Sequence, residues 1–339
     1  MFEQMKWYDK LPDPSIDVYE PYLNLFFETM YERQMIWKRR FVDNLPSPWT
    51  EDRILQTSKF TNVYRELDRS SQWQIKNIML DEKLSLKNLI WKMMVYRFFN
   101  NPQTFEIGKK KWRNGIPDYD EYNVEIFADF ISEVRKSGVN PFTNAYYINS
   151  DAASGKGRDY CYTKIVLPYL HENIDTLILT IKNSKSPSDI INYLTDNMPG
   201  VANFIAHEFY QDFTYIPKYT KLEFMKFNQN DFTFVGPGAS VGIRLIFPSL
   251  KYNEQIKGIY VLRDIAAEKL KEISIEKGEE MCYIYWDKNN KKYEINNKCN
   301  LTLHQIEMWL CEFQKYWKMM IGEGKQRSKF TPKTDLKYI

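Results

Sequence analysis

Two glycine-bearing stretches carry residue types from which chemistry on a nucleic acid can be built. In the first, Met198-Pro199-Gly200-Val201-Ala202 leads into an apolar run, Phe204-Ile205-Ala206, and on to Asp212. A Pro-Gly pair reverses the chain tightly, with Gly200 taking the positive φ that other residues avoid. The N–H groups of such a turn, and of the first turn of the helix after it, lack intrahelical partners and point outward, where they bind a phosphate oxygen. Pro199, Gly200, Val201 and Ala202 are therefore the expected contacts to a DNA backbone. The second stretch runs from Asp231 through Val235-Gly236-Pro237-Gly238-Ala239. Here Gly236 and Gly238 allow a close backbone approach, and their N–H groups form a nest for an anion; an ordinary tight turn is the alternative. Arg244, Lys156 and Arg158 extend the expected backbone contacts. The stretch Ser154-Gly155-Lys156-Gly157-Arg158 lacks full Walker spacing and a preceding strand, so it is not read as a kinase P-loop.

Asp212 and Asp231 are the candidate catalytic carboxylates. A fixed carboxylate stabilises positive charge on a sugar as its bond to a base breaks, or activates a water. Asn62, Arg65, Asp68 and Arg69 form a candidate base-binding set. On a single helix Asn62, Arg65 and Arg69 share a face, with Asp68 at its edge. Asparagine reads a base edge bidentately and arginine clamps a phosphate; pairing of these arginines with Asp68 and Glu66 is the competing reading. His207 reads as packed or solvated, and Trp37 and Trp49 as core.

Helices must position these groups. Apolar spacing predicts helices over 18–43, 60–78, 84–99, 120–136, 160–183, 187–196, 200–212 and 301–320. Leu45-Pro46-Ser47-Pro48-Trp49 breaks the first, and Thr50 then reads as an N-cap. Tyr283, Tyr285 and Tyr293 around Asn289-Asn290 predict one short hairpin. The 339 residues, 43% of them hydrophobic and 16% aromatic, suffice for a sizeable core. A net charge of +3 does not by itself announce nucleic-acid binding. Local clusters do more: Arg33 with Lys38, Arg39 and Arg40; Lys109, Lys110 and Lys111 with Arg113; Lys325, Arg327 and Lys329. Each can neutralise phosphates or form a solvated face. Cys161, Cys282, Cys299 and Cys311 form no Cys-x-x-Cys pair and there are three histidines, so no metal is expected, and no cofactor either. The start lacks a signal peptide's apolar core and no stretch reaches transmembrane length, so a cytoplasmic protein without membrane contact is expected.

Several markers resemble a known family. They are Trp49-Thr50-Glu51-Asp52 with Ile54-Leu55; Phe60-Thr61-Asn62-Val63-Tyr64-Arg65-Glu66-Leu67-Asp68-Arg69; Met198-Pro199-Gly200-Val201 with Phe204-Ile205-Ala206 and Asp212; Val235-Gly236-Pro237-Gly238-Ala239 with Gly242 and Arg244; and Leu310-Cys311-Glu312-Phe313-Gln314-Lys315-Tyr316. Over residues 25–320 the chain resembles the alpha-glutamyl/putrescinyl thymine pyrophosphorylases and the helical domain of 5-hydroxymethyluracil DNA kinases, groups related to helix-hairpin-helix DNA glycosylases. The resemblance implies a mainly α, glycosylase-like helical domain with a minor β hairpin. It also implies double-stranded DNA carrying modified pyrimidines as partner. The expected organisation is an extension (1–24), a helical domain (25–320, with lobes near 25–150 and 151–320) and a basic tail (321–339).

The leading expectation is a DNA glycosylase that flips a hypermodified pyrimidine of phage DNA and hydrolyses its glycosidic bond to leave an abasic site, in antiphage defence. The alternatives are a transferase that displaces pyrophosphate from an activated hydroxymethylpyrimidine with an amine or amino acid, and a non-catalytic reader of modified DNA. The chain departs from the glycosylase pattern at two points: Ala202 replaces the second hairpin glycine, and Val235-Gly236-Pro237-Gly238 lacks an acid where one is expected. No lysine stands at a recognisable Schiff-base position.

Overall fold

Short polar and glycine-proline segments end one helix and cap the next along the whole chain. The computed structural model describes residues 16–144, 156–324 and 330. The helices in chain order begin with α1 (Glu20–Phe41), with Lys38, Arg39 and Arg40 in its last turn, and α2 (Arg53–Thr57). Then come α3 (Arg69–Gln74), which runs into a π turn over Ile75–Met79, and α4 (Leu86–Phe99), capped by Ser85 and stopped by left-handed Asn100. Next are α5 (Pro102–Gly108), α6 (Val124–Lys136) and α7 (Arg158–Cys161), the last joined through a π stretch to α8 (Leu167–Asn183). A Ser186/Asp189 capping box starts α9 (Pro187–Asn197), followed by α10 (Asn203–Thr214) and α11 (Ile216–Tyr219). The chain then forms α12 (Pro237–Ile246) and α13 (Gln255–Lys277), which Gly278 closes at φ 67°. An antiparallel hairpin, β1 (Tyr283–Asp287) and β2 (Lys292–Asn296), precedes α14 (Leu303–Met320). The expected mainly α architecture with one small β hairpin is what the chain adopts.

Four local readings change. Residues 60–78 are not one helix: residues 60–64 are non-helical, Arg65–Leu67 is a 3₁₀ turn, and α3 starts only at Arg69. The cause is local, since the Asp68 carboxylate accepts from the Asn62 backbone at 2.9 Å and competes with helical pairing. The cap of α2 is Asp52 rather than Thr50; Thr50 Oγ1 instead accepts from the Asp52 N–H at 3.1 Å. The Gly236–Ala239 turn is the start of α12, with Pro237 in its first turn, where its missing N–H costs nothing. The 23-residue α13 lies outside the predicted helices, although Ile259, Leu262, Ile265, Ala266, Leu270 and Ile273 are buried at helical spacing.

The chain forms two units, residues 69–228 and a second built from residues 1–68 with 229–339. In the two-segment unit α1, α12, α13 and α14 bury Phe26, Phe27, Ile243, Leu262, Trp309 and Phe313. Each such side chain contributes roughly 1.5–3 kcal/mol by leaving water. α12 and α14 approach closely because glycines face the contact: a Cβ on Gly238 would sit 2.4 Å from Cys311 Sγ, and one on Gly242 2.6 Å from the Leu310 carbonyl oxygen. In the other unit α4 is buried on nearly every side, with Phe98 edge-on to Phe209 of α10 at 5.0 Å. No helix of the described residues is long and apolar enough to cross a membrane.

Candidate functional site

A cleft of about 630 Å³ opens in the two-segment unit. One face of α1 supplies Leu25, Glu28, Thr29, Glu32 and Arg39, spaced as successive helical turns require. The opposite side is the segment Pro48–Asp52, with Tyr316 from α14 and Lys277 from the end of α13. Pro46 and Pro48, the latter after a cis peptide, keep this segment from continuing α1.

Side chains then fix the segment from three directions. The Trp49 indole donates to the Leu45 carbonyl at 2.7 Å. Arg39 donates to the Trp49 carbonyl at 2.8 Å and pairs with Glu32 and Glu279, each at 2.9 Å. Asp52 caps α2 through Oδ1, and its Oδ2 accepts from the Tyr316 hydroxyl at 2.6 Å. Burial, then the Asp52 carboxylate, pushes the Tyr316 phenol well above its ordinary range, so it stays a neutral donor. Burial opposes the charge on Arg39, but its hydrogen bonds and ion pairs with Glu279 and Glu32 outweigh that and raise its pKa. Glu28 and Glu51 are exposed and make no hydrogen bond or ion pair among the described residues. The arrangement is thus an open cavity bordered by Trp49, whose ring has the Arg40 guanidinium 4.8 Å from its centroid, and by Tyr316, with fixed hydroxyls and unspent carboxylates. These are features of a site for an uncharged ring bearing hydrogen-bond donors.

The expected base-binding set is only partly assembled. Asn62, Arg65 and Asp68 meet in the loop before α3: Asn62 Nδ2 donates to the Leu67 carbonyl and to Asp68, Oδ1 accepts from Arg33 at 2.8 Å, and Arg65 pairs with Asp68. Their polar groups are spent on one another. Arg69 is exposed and belongs to the other unit.

At the second glycine stretch the Gly236 N–H faces an anion, but a resident one: it donates to Glu307 Oε1 at 3.2 Å. Gly238 admits α14 rather than a ligand. Arg244 is exposed near the end of α12, and Asp231 is exposed in the turn before it.

In the unit of residues 69–228, Gly200 has φ 71° between α9 and α10, and Ala202 gives α10 no side-chain cap. Pro199 and Gly200 are half-buried, Val201 is buried and Ala202 exposed. Asp212 is 1% exposed and gripped by Arg97, with Nη2 to Oδ1 at 2.5 Å and Nε to Oδ2 at 2.7 Å. Arg97 also holds Glu208, one turn earlier, at 2.8 Å. Burial outweighs Arg97 and raises the Asp212 pKa, since two carboxylates share one guanidinium. This is a buried structural pair, not a carboxylate open to a sugar. His207, on the same helix and 3.1 Å from the Gln211 amide, is buried and pushed down to about 3 by burial. Lys156 is exposed, its ammonium 4.7 Å from the Tyr160 ring, and Arg158 lies 4.3 Å over Phe142.

The basic clusters are largely compensated. Lys38 and Arg39 pair with Glu279, Lys109 with Glu106, Lys111 with Glu133, and Arg113 with Asp81. Ser154, Gly155, Lys325, Arg327 and Lys329 lie outside the described residues. Among the described residues no group of three or more His, Cys, Asp or Glu could hold a metal ion.

Sequence reasoning did not single out Glu28, Glu32 or Lys277 as cleft residues and read Arg39 only as part of a basic cluster; Trp49, read as core, packs against the buried Ile36, Leu55, Phe60 and Tyr316 and also borders the cleft. The usable signals were the polar positions at helical spacing on α1 and the markers Trp49–Asp52 and Leu310–Tyr316, whose ends meet in the cleft.

The profile of a protein family described as "5-hmdU DNA kinase, helical domain" matches residues 20–326. A curated "5-hmdU DNA kinase" of Bacillus phage SP10 is 26% identical over 304 residues, covering 87% of this chain and 44% of the relative. The chain therefore spans less than half the length of the curated relative it matches. No solved structure matches. These findings overturn the expectation of a glycosylase: both the family and the relative are described as DNA kinases, not as glycosylases. With excision goes the need for Asp212 or Asp231 beside a breaking sugar bond.

Proposed function

Because the chain belongs to the family of 5-hmdU DNA kinase helical domains, we propose that it takes part in phosphorylating 5-hydroxymethyluracil in DNA, and that the cleft beside α1 receives the acceptor base. In that reaction the hydroxymethyl oxygen bonds to the terminal phosphorus of a nucleoside triphosphate. The bond from that phosphorus to the bridging oxygen breaks, the nucleoside diphosphate leaves, and the hydroxyl proton passes to a carboxylate. Glu28 and Glu51, open in the cleft, are the groups to take it. Trp49 supplies an aromatic face for the extruded ring. The turn Pro199–Ala202, with Gly200 at positive φ, is the proposed contact to a DNA phosphate, with Lys156 and Arg158 of the same unit proposed for further phosphates; Arg244, in the other unit, is proposed separately as a phosphate contact.

The observation that carries this reading is that Trp49–Asp52 and Tyr316, from two of the family-resembling markers, meet at one cavity of base-binding size. The test is binding to duplexes that differ only in one thymine or 5-hydroxymethyluracil. Preference for the hydroxymethyl base by about tenfold, some 1.4 kcal/mol, is expected. Equal affinity for the two duplexes contradicts the reading.

A further inference from the structure

Resting on that reading, we propose that the cleft also rejects the phosphorylated base, so that the product is expelled from the site that accepted its precursor. Four carboxylates line the cavity, Glu28, Glu32, Glu51 and Asp52, against two cations, Arg39 and Lys277, an excess of two negative charges. Arg39 is not available to an incoming anion, because its donors already serve Glu32, Glu279 and the Trp49 carbonyl. The Tyr316 hydroxyl is likewise committed to Asp52.

A hydroxymethyl group is neutral and donates a hydrogen bond that a carboxylate accepts. Its phosphate ester brings a charge of about −1.5 to −2 and oxygens that only accept. It would meet carboxylates that have no proton to give, with Lys277, exposed and 3.8 Å from Glu276, as the one lining cation not tied to the cleft's own groups. Volume does not set the preference, since a cavity of about 630 Å³ has room for either form. Charge sets it, and the site therefore faces the acceptor before transfer.

The test compares three duplexes, carrying thymine, 5-hydroxymethyluracil or its phosphate ester at one position. The phosphorylated duplex is expected to bind at least about tenfold more weakly than the hydroxymethyl duplex near 0.15 M salt, where exposed charges still act over ~8 Å. The double variant Glu28→Gln/Glu51→Gln should narrow that gap several-fold. So should about 1 M salt, which shortens the range to ~3 Å. A phosphorylated duplex bound as tightly as the hydroxymethyl one overturns the proposal, as does a gap that neither the double variant nor salt changes. If thymine and hydroxymethyluracil duplexes bind alike, the reading of the cleft as an acceptor site fails and this inference falls with it. If they differ while phosphate makes no difference, this inference alone fails.

Discussion

Arg39 and Arg97 each hold two carboxylates, yet their surroundings give them opposite roles. Arg97, with Glu208 and Asp212, is almost wholly enclosed between α4 and α10. Arg39, with Glu32 and Glu279, has about a fifth of its side chain exposed and borders a cavity. An enclosed ion network has its hydrogen-bonding capacity consumed by the fold and can offer a ligand little. A half-open one fixes a backbone segment, here at the Trp49 carbonyl, while neighbouring carboxylates stay unspent. An acid near a promising turn is thus a weaker pointer to function than an acid beside empty space.

Removing Arg97 measures the enclosed side of the contrast. Arg97→Ala strands two buried carboxylates and should cost about 3–5 kcal/mol in urea unfolding. A loss below 1 kcal/mol would mean that the network is wet or loosely held. In the other unit the packing of α12 on α14 is the sensitive element. Gly238→Ala forces a methyl group against Cys311 Sγ and should cost about 1–3 kcal/mol, part of it recovered in Gly238→Ala/Cys311→Ala. Full additivity of the two changes would show that the contact is not the cause.

The enclosed region also predicts a pH dependence. His207 has its pKa depressed from 6.5 to about 3, so the folded state resists a proton that the unfolded chain accepts. The stability this neutral imidazole preserves is present above pH 6.5 and is lost as pH falls from there towards 3, by about 1.4 kcal/mol per pH unit. His207→Gln should remove that slope, read from unfolding free energies between pH 4 and 7; an unchanged slope would assign it to other groups. The smallest effect on stability belongs to the open region. Glu28→Gln should change it by less than about 0.5 kcal/mol, while altering affinity for hydroxymethyluracil DNA, which binding titration alongside unfolding would separate.

Much of the scaffold is legible in the chain. Ser186-Pro187, Thr302 with Gln305, and Asn100 mark helix ends by their own chemistry, and Asn289-Asn290 marks the hairpin. α12 was obscured because Gly-Pro-Gly reads equally as a turn or as a cap followed by proline in the first turn. α13 interleaves Lys and Glu so densely that its apolar stripe is diluted. The helix expected from Asn62 onward fails because Asp68 takes the Asn62 N–H, a choice that periodicity does not register. The site was harder still. Arg97 meets Asp212 across 115 positions, and Tyr316 meets Asp52 across 264. Such pairings come from packing two distant segments together, and no local spacing encodes them.

The most direct test of the central claim is the ratio of affinities for hydroxymethyluracil and thymine duplexes in Glu28→Ala/Glu51→Ala. The account predicts that the wild-type preference falls to near one, with the protein still folded. A preference that survives loss of both carboxylates would show that the hydroxymethyl group is recognised elsewhere.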